Sequence, residues 1–157
     1  MTTLMTTEVF APLTLTARTA EELMTPNPVS IRAEATIPKA LAVLIDKGFS
    51  AAPVMDEAGR PIGVVSRSDF LAHDREKTEY PAQFSDGMTG GLTATAEDKT
   101  PVREIMTPVV FSVAVDTPAA QVVSEMVGLH VHRLFVVDRD GVLVGVISSL
   151  DILEKLH

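Results

Sequence analysis

Apolar positions recur with a helical period at two places in the chain. Both sets follow the i, i+3, i+4, i+7 and i+8 spacing that forms one apolar stripe along an amphipathic helix. Gly48 is a suitable end for the first helix, while Thr117 as cap and Pro118 as first residue fit the start of the second. The two stripes are Ile37, Ala40, Leu41, Leu44 and Ile45, and Ala119, Val122, Val123, Met126 and Val127.

Short apolar runs around each helix predict strands. One run precedes the first helix at 29–32, and two later pairs of runs flank the turn sequences 56–59 and 138–141, which predicts two hairpins. A closing helix then begins at Ser66 and at Ser148, so each unit is expected to be strand, helix, strand, strand, helix. The paired runs are 51–55 with 61–66, and 134–137 with 142–148. The closing helices are expected to turn inward Phe70, Leu71, Ile152, Leu153 and Leu156.

The two units are copies of one another at an offset of 82 positions. Each copy closes on the pattern Gly-X-X-Ser-X-X-Asp, at 63–69 and at 145–151. Spaced identities at one fixed offset indicate an internal duplication. A unit of roughly 50 residues is small for independent folding, so we expect the two units to share a core. The residues with an identical partner are Glu22, Met24, Thr25, Pro26, Ser30, Val54, Asp56, Gly59, Gly63, Val64, Ser66, Asp69 and Leu71.

Each closing pattern supplies a Ser and an Asp, and the pair allows two interpretations. In the structural one the pair is a capping box, with the hydroxyl accepting an amide proton and the carboxylate offsetting the helix dipole. In the functional one the helix N-terminus attracts an anion, and the carboxylate accepts both hydroxyls of a ribose. The tetrapeptide alone favours the cap, since such sequences begin many ordinary helices. The duplication adds weight to the functional interpretation.

The segments outside these units are less patterned. Residues 1–18 are expected to be a loose arm, in which 13–16 could add an edge strand. Thr19 and Thr100 are expected to cap short helices that the two Met-Thr-Pro sequences end, because the residue before Pro avoids helical geometry. The segment 74–100 has no sustained period. Its Tyr80 and Phe84 could cover a ligand, although loop aromatics more often pin a loop to the surface.

Composition narrows the class of protein. With 46% apolar residues the chain can form a real core, and because its aromatic residues are one Tyr and six Phe, that core must be largely aliphatic. A formal charge of -8 argues against nucleic-acid binding, which needs clustered Lys and Arg. Cysteine is absent, which excludes disulfides and thiol catalysis. Residues 1–16 resemble neither a signal peptide nor a membrane span, so the cytoplasm is the expected compartment.

The duplicated chain resembles a tandem pair of CBS domains, the Bateman module named for cystathionine β-synthase, over about residues 20–157. The resemblance rests on Leu-Met-Thr-Pro and Ile-Met-Thr-Pro, on Pro-Val-Met-Asp and Phe-Val-Val-Asp at the hairpins, and on the closing patterns. It implies an α/β (α+β) fold in which two β-α-β-β-α CBS repeats pack as a pseudo-twofold pair. The expected divisions are an N-terminal arm at 1–18, CBS domain 1 at 19–73, a linker at 74–100 and CBS domain 2 at 101–157.

The resemblance also implies a ligand, since members of this family hold AMP, ADP, ATP or S-adenosylmethionine in clefts between the repeats. The Ser of the closing motif contacts ribose or phosphate, and the Asp holds the ribose diol. His132-Arg133-Leu134 resembles the His-Arg-Leu of the γ subunit of AMP-activated protein kinase, where such residues meet phosphate; a surface ion pair is the alternative role for Arg133. The implied ribose and phosphate contacts are Ser66, Asp69, Ser148, Asp151, His132 and Arg133. The implied base-lining residues are Asn27, Pro28, Val29, Ala52, Pro53, Val109, Val110 and Phe111.

Two departures from the γ subunit alter these expectations. Ser50 stands where that subunit has an Arg, so fewer cations are expected and tight triphosphate binding is less favoured. Phe135 replaces the Pro of the second copy, so the second base slot is expected to be altered or filled by the ring. His130 and His132 could bind a metal on one strand face, but the sequence offers no third ligand, so no metal is expected.

The leading functional hypothesis is a non-catalytic regulatory module that binds adenine nucleotides and signals energy or metabolite state to an unidentified partner protein. The alternatives are a dimerisation or interaction scaffold with vestigial clefts, and a sensor of S-adenosylmethionine. Catalysis is not expected, because the sequence has no Gly-X-Ser-X-Gly elbow, metal-ligand cluster or phosphate loop. A homodimer is expected, since family modules associate through their helical faces and the closing helices have more apolar residues than one unit can bury.

Overall fold

Two strand-helix-strand-strand-helix units make up the structure, a computed structural model that describes residues 12–78 and 98–157. A short helix and a two-residue strand precede the first unit, and a 3-10 helix (Val102–Glu104) precedes the second. The first part of the chain forms α1 (Ala20–Leu23), β1 (Thr25–Pro26), β2 (Ile31–Arg32), α2 (Ile37–Lys47), β3 (Ala51–Met55), β4 (Pro61–Ser66) and α3 (Arg67–Thr78). The second part forms β5 (Ser112–Ala114), α4 (Ala119–Leu129), β6 (Arg133–Val137), β7 (Leu143–Ser148) and α5 (Ser149–Glu154).

The strands form two sheets of unequal size. The first has the order β2-β3-β4, with β2 parallel to β3 and β4 antiparallel to it. The second has the order β1-β7-β6-β5, in which β5, β6 and β7 repeat the same arrangement. Strand β1 adds to the edge of the second sheet, antiparallel to β7, although it precedes the whole first unit in sequence. The chain therefore crosses from one unit to the other before the first unit begins.

Each unit has its own core, and each core is completed by residues from the other half of the chain. The first core contains Val102 from the 3-10 helix, which is fully buried among residues of α2, β3 and β4. The second core contains Ala20 and Leu23 of α1, which are 0% and 2% exposed. The expectation of one shared core is thus refined to two cores joined by a reciprocal exchange of short helices. Burial of these helices supplies apolar area that a unit of this size lacks alone.

Helices α2 and α4 are equivalent, as the repeated periodicity predicts. Both have 11 residues, and they begin and end 82 positions apart. Helix α2 ends at Gly48 with φ 70°, where the absence of a Cβ removes the steric penalty of the left-handed conformation. Helix α4 ends at His130, a non-glycine residue in the same conformation with φ 59°.

The predicted threonine caps are wrong. Thr19 makes no side-chain capping bond at α1; instead the Glu22 carboxylate accepts the backbone N–H of Arg18 at 2.9 Å. Pro118 occupies the N-cap of α4, and the Thr117 hydroxyl accepts the N–H of Ala114 at 3.1 Å, which closes the turn before the helix. Pro101 rather than Thr100 likewise occupies the N-cap of the 3-10 helix. Helix α4 and the 3-10 helix thus begin one residue later than the pattern predicts, whereas α1 begins after Thr19 as expected but without a side-chain cap.

Several apolar residues expected to face inward lie on the surface. Phe70 is buried and Ile152 and Leu156 are half-buried, as predicted, but Leu71 is 67% exposed and Leu153 is 61% exposed. Ile45 and Val127, the last members of the two helical stripes, are 61% and 67% exposed. The four exposed residues form two pairs at the 82-residue offset, so the duplication has produced the same exposed apolar positions in both units.

Both hairpins form as predicted, with small shifts at the strand ends. The Asp138 carboxylate accepts the N–H groups of Asp140 (2.8 Å) and Val142 (3.0 Å), and Asp56 makes the equivalent pair of bonds. Strand β6 begins at Arg133 and β7 at Leu143, each one residue from the predicted start, and β2 is two residues shorter than the run 29–32.

The N-terminal arm pairs with the C-terminus of the chain. Thr14 and His157 exchange backbone hydrogen bonds at 2.8 and 3.0 Å, and Leu15 bridges Leu156. The alternation at 13–16 thus forms strand-like pairing, with the C-terminal segment rather than with the edge of a sheet. Residues 1–11 of the arm and the linker aromatics Tyr80 and Phe84 lie outside the described residues.

Candidate ligand-binding cleft

A cleft of about 430 Å³, which we call the cleft of Asp151, brings together residues from both units. Its apolar lining, which we call the apolar wall, consists of prolines, valines and Phe49, and its polar lining residues include Arg133, Ser148 and Asp151. Its volume falls in the range of roughly 300–1,000 Å³ that is usual for small-molecule sites. The lining residues are Thr25, Pro28, Val29, Gly48, Phe49, Ser50, Ala51, Pro53, Arg133, Val146, Ser148 and Asp151.

Thr25 reaches this cleft because the Met-Thr-Pro segment lies across β7. Thr25 is paired with Val146 and Pro26 with Gly145. A Cβ on Gly145 would overlap the Met24 side chain, so only glycine lets the segment approach this closely. The second copy repeats this crossing: Thr107 bridges Val64, and a Cβ on Gly63 would lie 2.6 Å from the Met106 sulfur. The glycine that opens each closing pattern therefore serves the contact between the two units.

The turn after this crossing positions part of the apolar wall. Asn27 has φ 54°, a left-handed conformation that Asn tolerates better than most residues, and its N–H donates to the Val144 carbonyl at 3.1 Å. This turn leads the chain from the edge of the second sheet to Pro28 and Val29 in the cleft wall. Asn27 itself is exposed and is not among the lining residues, so its effect on the cleft comes from its backbone.

Ser148 and Asp151 form the capping box that the structural interpretation predicts. The Ser148 hydroxyl accepts the N–H of Asp151 at 3.2 Å, and one oxygen of the Asp151 carboxylate accepts the Ser148 N–H at 2.8 Å. The same oxygen, Oδ2, also accepts the Ser148 hydroxyl at 3.0 Å. These bonds fix the position of the carboxylate at the start of α5.

The other oxygen of Asp151 faces a different partner. Oδ1 accepts the Thr25 hydroxyl at 3.3 Å, a bond between residues 126 positions apart in the chain. A carboxylate oxygen can accept more than one hydrogen bond, so Oδ1 can take a ligand hydroxyl in addition to Thr25. The capping and ligand interpretations are therefore compatible, because one oxygen serves the helix and the other belongs to the cleft.

Arg133 is the cation of this cleft, and His132 does not share it. Arg133 begins β6, pairs in register with Ser148 and lines the cleft as an exposed side chain. His132 is not a lining residue, and its carbonyl accepts the N–H of Ser149 at 3.0 Å. The structure therefore places Arg133 but not His132 in this cleft, and the ligand role of each residue stays a prediction. Neighbouring residues at a strand start point to opposite sides, which separates the two side chains.

The strand register identifies the counterpart of Arg133 in the first copy. Ala51 pairs with Ser66 as Arg133 pairs with Ser148, so Ala51, not Ser50, is the structural counterpart of Arg133. The first copy thus has a methyl group where the second has a guanidinium. The comparison of Ser50 with the Arg of the γ subunit concerns the neighbouring position and stays a prediction.

Ser66 and Asp69 repeat the local geometry but do not line this cleft. The Asp69 carboxylate accepts the Ser66 N–H at 2.8 Å and its hydroxyl at 3.1 Å, and the Ser66 and Ser68 hydroxyls are 2.9 Å apart. The predicted residues that do not line the cleft of Asp151 are Asn27, Ala52, Ser66, Asp69, Val109, Val110, Phe111 and His132.

Phe135 is only 8% exposed but is not part of the second core. Strand alternation turns its side chain to the opposite side from those of Leu134 and Val136.

Half of the residues that line the cleft were not predicted from the sequence as ligand contacts. The predicted Pro28, Val29, Pro53, Arg133, Ser148 and Asp151 do come together there. Thr25, Val146 and the segment 48–51 were not predicted as ligand contacts. Thr25 belongs to the repeated Met-Thr-Pro motif, so its identity at the 82-residue offset was an available signal. Nothing in the sequence alone showed that this motif lies against the closing strand of the other unit.

Other features of the described residues do not compete with this cleft. A larger open groove of about 780 Å³ is lined by residues around Arg32, Glu57 and Arg103 and contains none of the predicted site residues. His130 and His132 are both exposed, and the described ranges contain no group of three or more metal-ligating side chains. In the same ranges, no helix has the length and hydrophobicity needed to cross a membrane.

The comparisons with known proteins identify the family. The family model for the CBS domain matches residues 20–76 and 102–157, so the chain belongs to the CBS-domain family and contains two copies of the domain. The chain is 30% identical over 122 residues to the γ-3 subunit of 5'-AMP-activated protein kinase from Bos taurus, covering 78% of this chain and 22% of that protein. It is 30% identical over 128 residues to the CBS domain-containing protein CBSX1, chloroplastic, from Arabidopsis thaliana, covering 75% and 54%. The chain thus spans about half or less of these relatives.

Two solved structures are similar in both fold and sequence. CBSX2 in complex with AMP superposes with a TM-score of 0.65 at 26% identity, covering 88% of this chain and 95% of that one. The cytosolic domain of the Mg²⁺ channel MgtE in complex with ATP superposes with a TM-score of 0.60 at 29% identity, covering 83% and 46%. These similarities confirm the predicted α/β fold of a tandem CBS pair.

Proposed function

We propose that the protein is a regulatory module that binds an adenine nucleotide in the cleft of Asp151 and signals its occupancy to a partner protein. One observation carries the proposal: Asp151 and Arg133 of the second unit meet Thr25 and apolar residues from the first part of the chain in a single cavity. A carboxylate, a guanidinium and an apolar slot are the three environments that a ribose, a phosphate and a purine require. The complexes of CBSX2 with AMP and of MgtE with ATP support this ligand class.

The expected roles follow from the chemistry of the lining groups. The base lies against Pro28, Val29 and Pro53, the ribose diol donates to Oδ1 of Asp151, and the phosphate meets Arg133. The Ser148 and Thr25 hydroxyls are already bonded to the Asp151 carboxylate, so they hold the carboxylate for the ribose. A ligand in this position touches both units, so binding favours one arrangement of the units over others. The module needs no catalytic group for this function.

A scaffold without a ligand is the second candidate, and the complete capping box at Ser148 favours it. Every capping bond that Asp151 makes would be present in a protein that never binds a nucleotide. The four exposed apolar side chains of Ile45, Leu71, Val127 and Leu153 also fit the predicted homodimer. Dimerisation through this set is compatible with either candidate.

Calorimetric titration of the purified chain with AMP, ADP, ATP, S-adenosylmethionine and NAD separates the two candidates. The proposal predicts saturable binding of at least one adenine nucleotide and its loss when Asp151 is replaced. Absence of heat and of any thermal stabilisation with all five ligands would support the scaffold. Preferential binding of S-adenosylmethionine would keep the sensor and change its ligand.

A further inference from the structure

Arg67 stands beside the wall of the cleft although it belongs to the other closing helix. It is the first residue of α3, and its backbone N–H donates to the Ser50 carbonyl at 2.9 Å. Its side-chain Nε donates to the Phe49 carbonyl, also at 2.9 Å. Phe49 and Ser50 both line the cleft of Asp151. The backbone bond therefore fixes Arg67 next to the cleft wall, and the Nε bond holds its guanidinium against the backbone of that wall.

The guanidinium keeps most of its hydrogen-bonding capacity. The bond to Phe49 uses Nε and leaves the two terminal nitrogens as donors. The Arg67 side chain is exposed, and among residues 12–78 and 98–157 no carboxylate forms an ion pair with it. An arginine fixed through one nitrogen loses less conformational freedom when it binds an anion, and its planar fork suits phosphate oxygens.

The internal duplication shows that the capping geometry does not require this side chain. The counterpart of Arg67 in the second copy is Ser149, whose hydroxyl lies 3.4 Å from the His132 carbonyl. Helix α5 nevertheless begins with the complete capping box. A serine therefore suffices at this position for the helix start, and the guanidinium of Arg67 adds a positive charge that only the first copy has.

The charges lining the cleft suggest what this additional cation serves. Arg133 is the cation among the lining residues and Asp151 is the carboxylate, so the lining itself offers one guanidinium to pair with a phosphate group. A second phosphate group that extends toward the rim needs a second cation there. We propose that Arg67 is a specificity-determining residue that binds the outer phosphate of a nucleoside di- or triphosphate, so that the cleft prefers ADP and ATP to AMP. This inference rests on the proposed nucleotide function and adds the phosphate number to it.

The experiment compares adenosine, AMP, ADP and ATP on the full chain by calorimetry. In the parent, ADP should bind about tenfold more tightly than AMP, which is the size of one charge-assisted contact. Arg67→Gln should abolish this preference and leave the affinities for adenosine and AMP within about twofold of the parent. Arg67→Lys should retain part of the preference, since it keeps the charge and loses the fork. Arg139→Gln is the matched control, because Arg139 is exposed at the hairpin turn beyond the opposite end of β6 from Arg133.

The outcomes distinguish this inference from the proposed function. An equal loss of affinity for all four ligands in Arg67→Gln would mean that the side chain only braces the Phe49 wall, and would overturn the inference. The same holds if the variant keeps the full preference for ADP, or if the parent binds AMP and ADP equally. In these cases adenosine and AMP still bind and the nucleotide function stands. A parent that binds none of the four ligands removes both.

Discussion

Replacing Asp151 by Asn should separate the capping role of this residue from its ligand role. The two oxygens of the carboxylate have different partners: Oδ2 accepts from Ser148, and Oδ1 accepts from Thr25. An asparagine can place its amide oxygen at the Oδ2 position and keep the bonds from Ser148. Its NH₂ group then occupies the Oδ1 position, where it donates a hydrogen bond and can no longer accept one from a ribose hydroxyl.

The expected magnitudes follow from this exchange. Loss of the charge at the start of α5, with the cap retained, should cost about 0.5–1 kcal/mol of unfolding free energy. For a chain of this length that is a fall of roughly 1–4 °C in Tm. Loss of the charge-assisted ribose bonds should cost about 1.5–3 kcal/mol of binding free energy, which is more than tenfold in Kd.

Asp69→Asn provides the matched control, because Asp69 accepts the N–H and hydroxyl of Ser66 just as Asp151 accepts those of Ser148. Both variants should lose similar thermal stability, while only Asp151→Asn should weaken binding in the cleft it lines. Thermal melts and nucleotide titrations on the parent, both single variants and the double variant give the comparison. If the double variant binds AMP as the parent does, both aspartates act only as caps and our assignment of the cleft is wrong.

Three further predictions test the cleft, the crossing of the units and the exposed surface. Arg133→Ala should weaken the binding of AMP about tenfold and that of adenosine much less, because adenosine has no phosphate to contact Arg133. Equal losses of affinity would remove Arg133 from the phosphate site. Gly145→Ala should destabilise the fold by about 1–3 kcal/mol in denaturant unfolding through its overlap with Met24. Gly128→Ala in α4 has open space around its Cβ and should be stabilising by about 0.5–1 kcal/mol, so a loss there would contradict the steric argument. Light scattering at micromolar concentration should give the parent the mass of a homodimer. The double variant Leu71→Glu with Leu153→Glu places charge among the exposed apolar side chains and should have the mass of a monomer. A monomeric parent would refute the dimer.

Local patterns were enough to predict the secondary structure of both units. Helices α2 and α4 follow from a stripe of apolar side chains, and each hairpin follows from an Asp-to-Gly turn between two apolar runs. These features depend on residues within about ten positions of one another, so the sequence specifies them directly. The helix starts were less accurate because capping depends on one hydroxyl. That hydroxyl of Thr117 bonds to the preceding turn instead of to the helix.

The sequence by itself therefore determined the duplication, the order of elements, the fold and the pairs of Ser and Asp at the helix starts. Only the tertiary structure decided which residues of the two units form one cleft. The crossing of Met24 over Gly145 brings Thr25 to Asp151 across 126 positions, and strand geometry admits Arg133 to the cleft while it leaves His132 outside. Contacts of this kind join residues that are far apart in the chain and have no shared period. Their positions depend on how the two sheets and the exchanged helices pack against one another. No local sequence pattern records that packing.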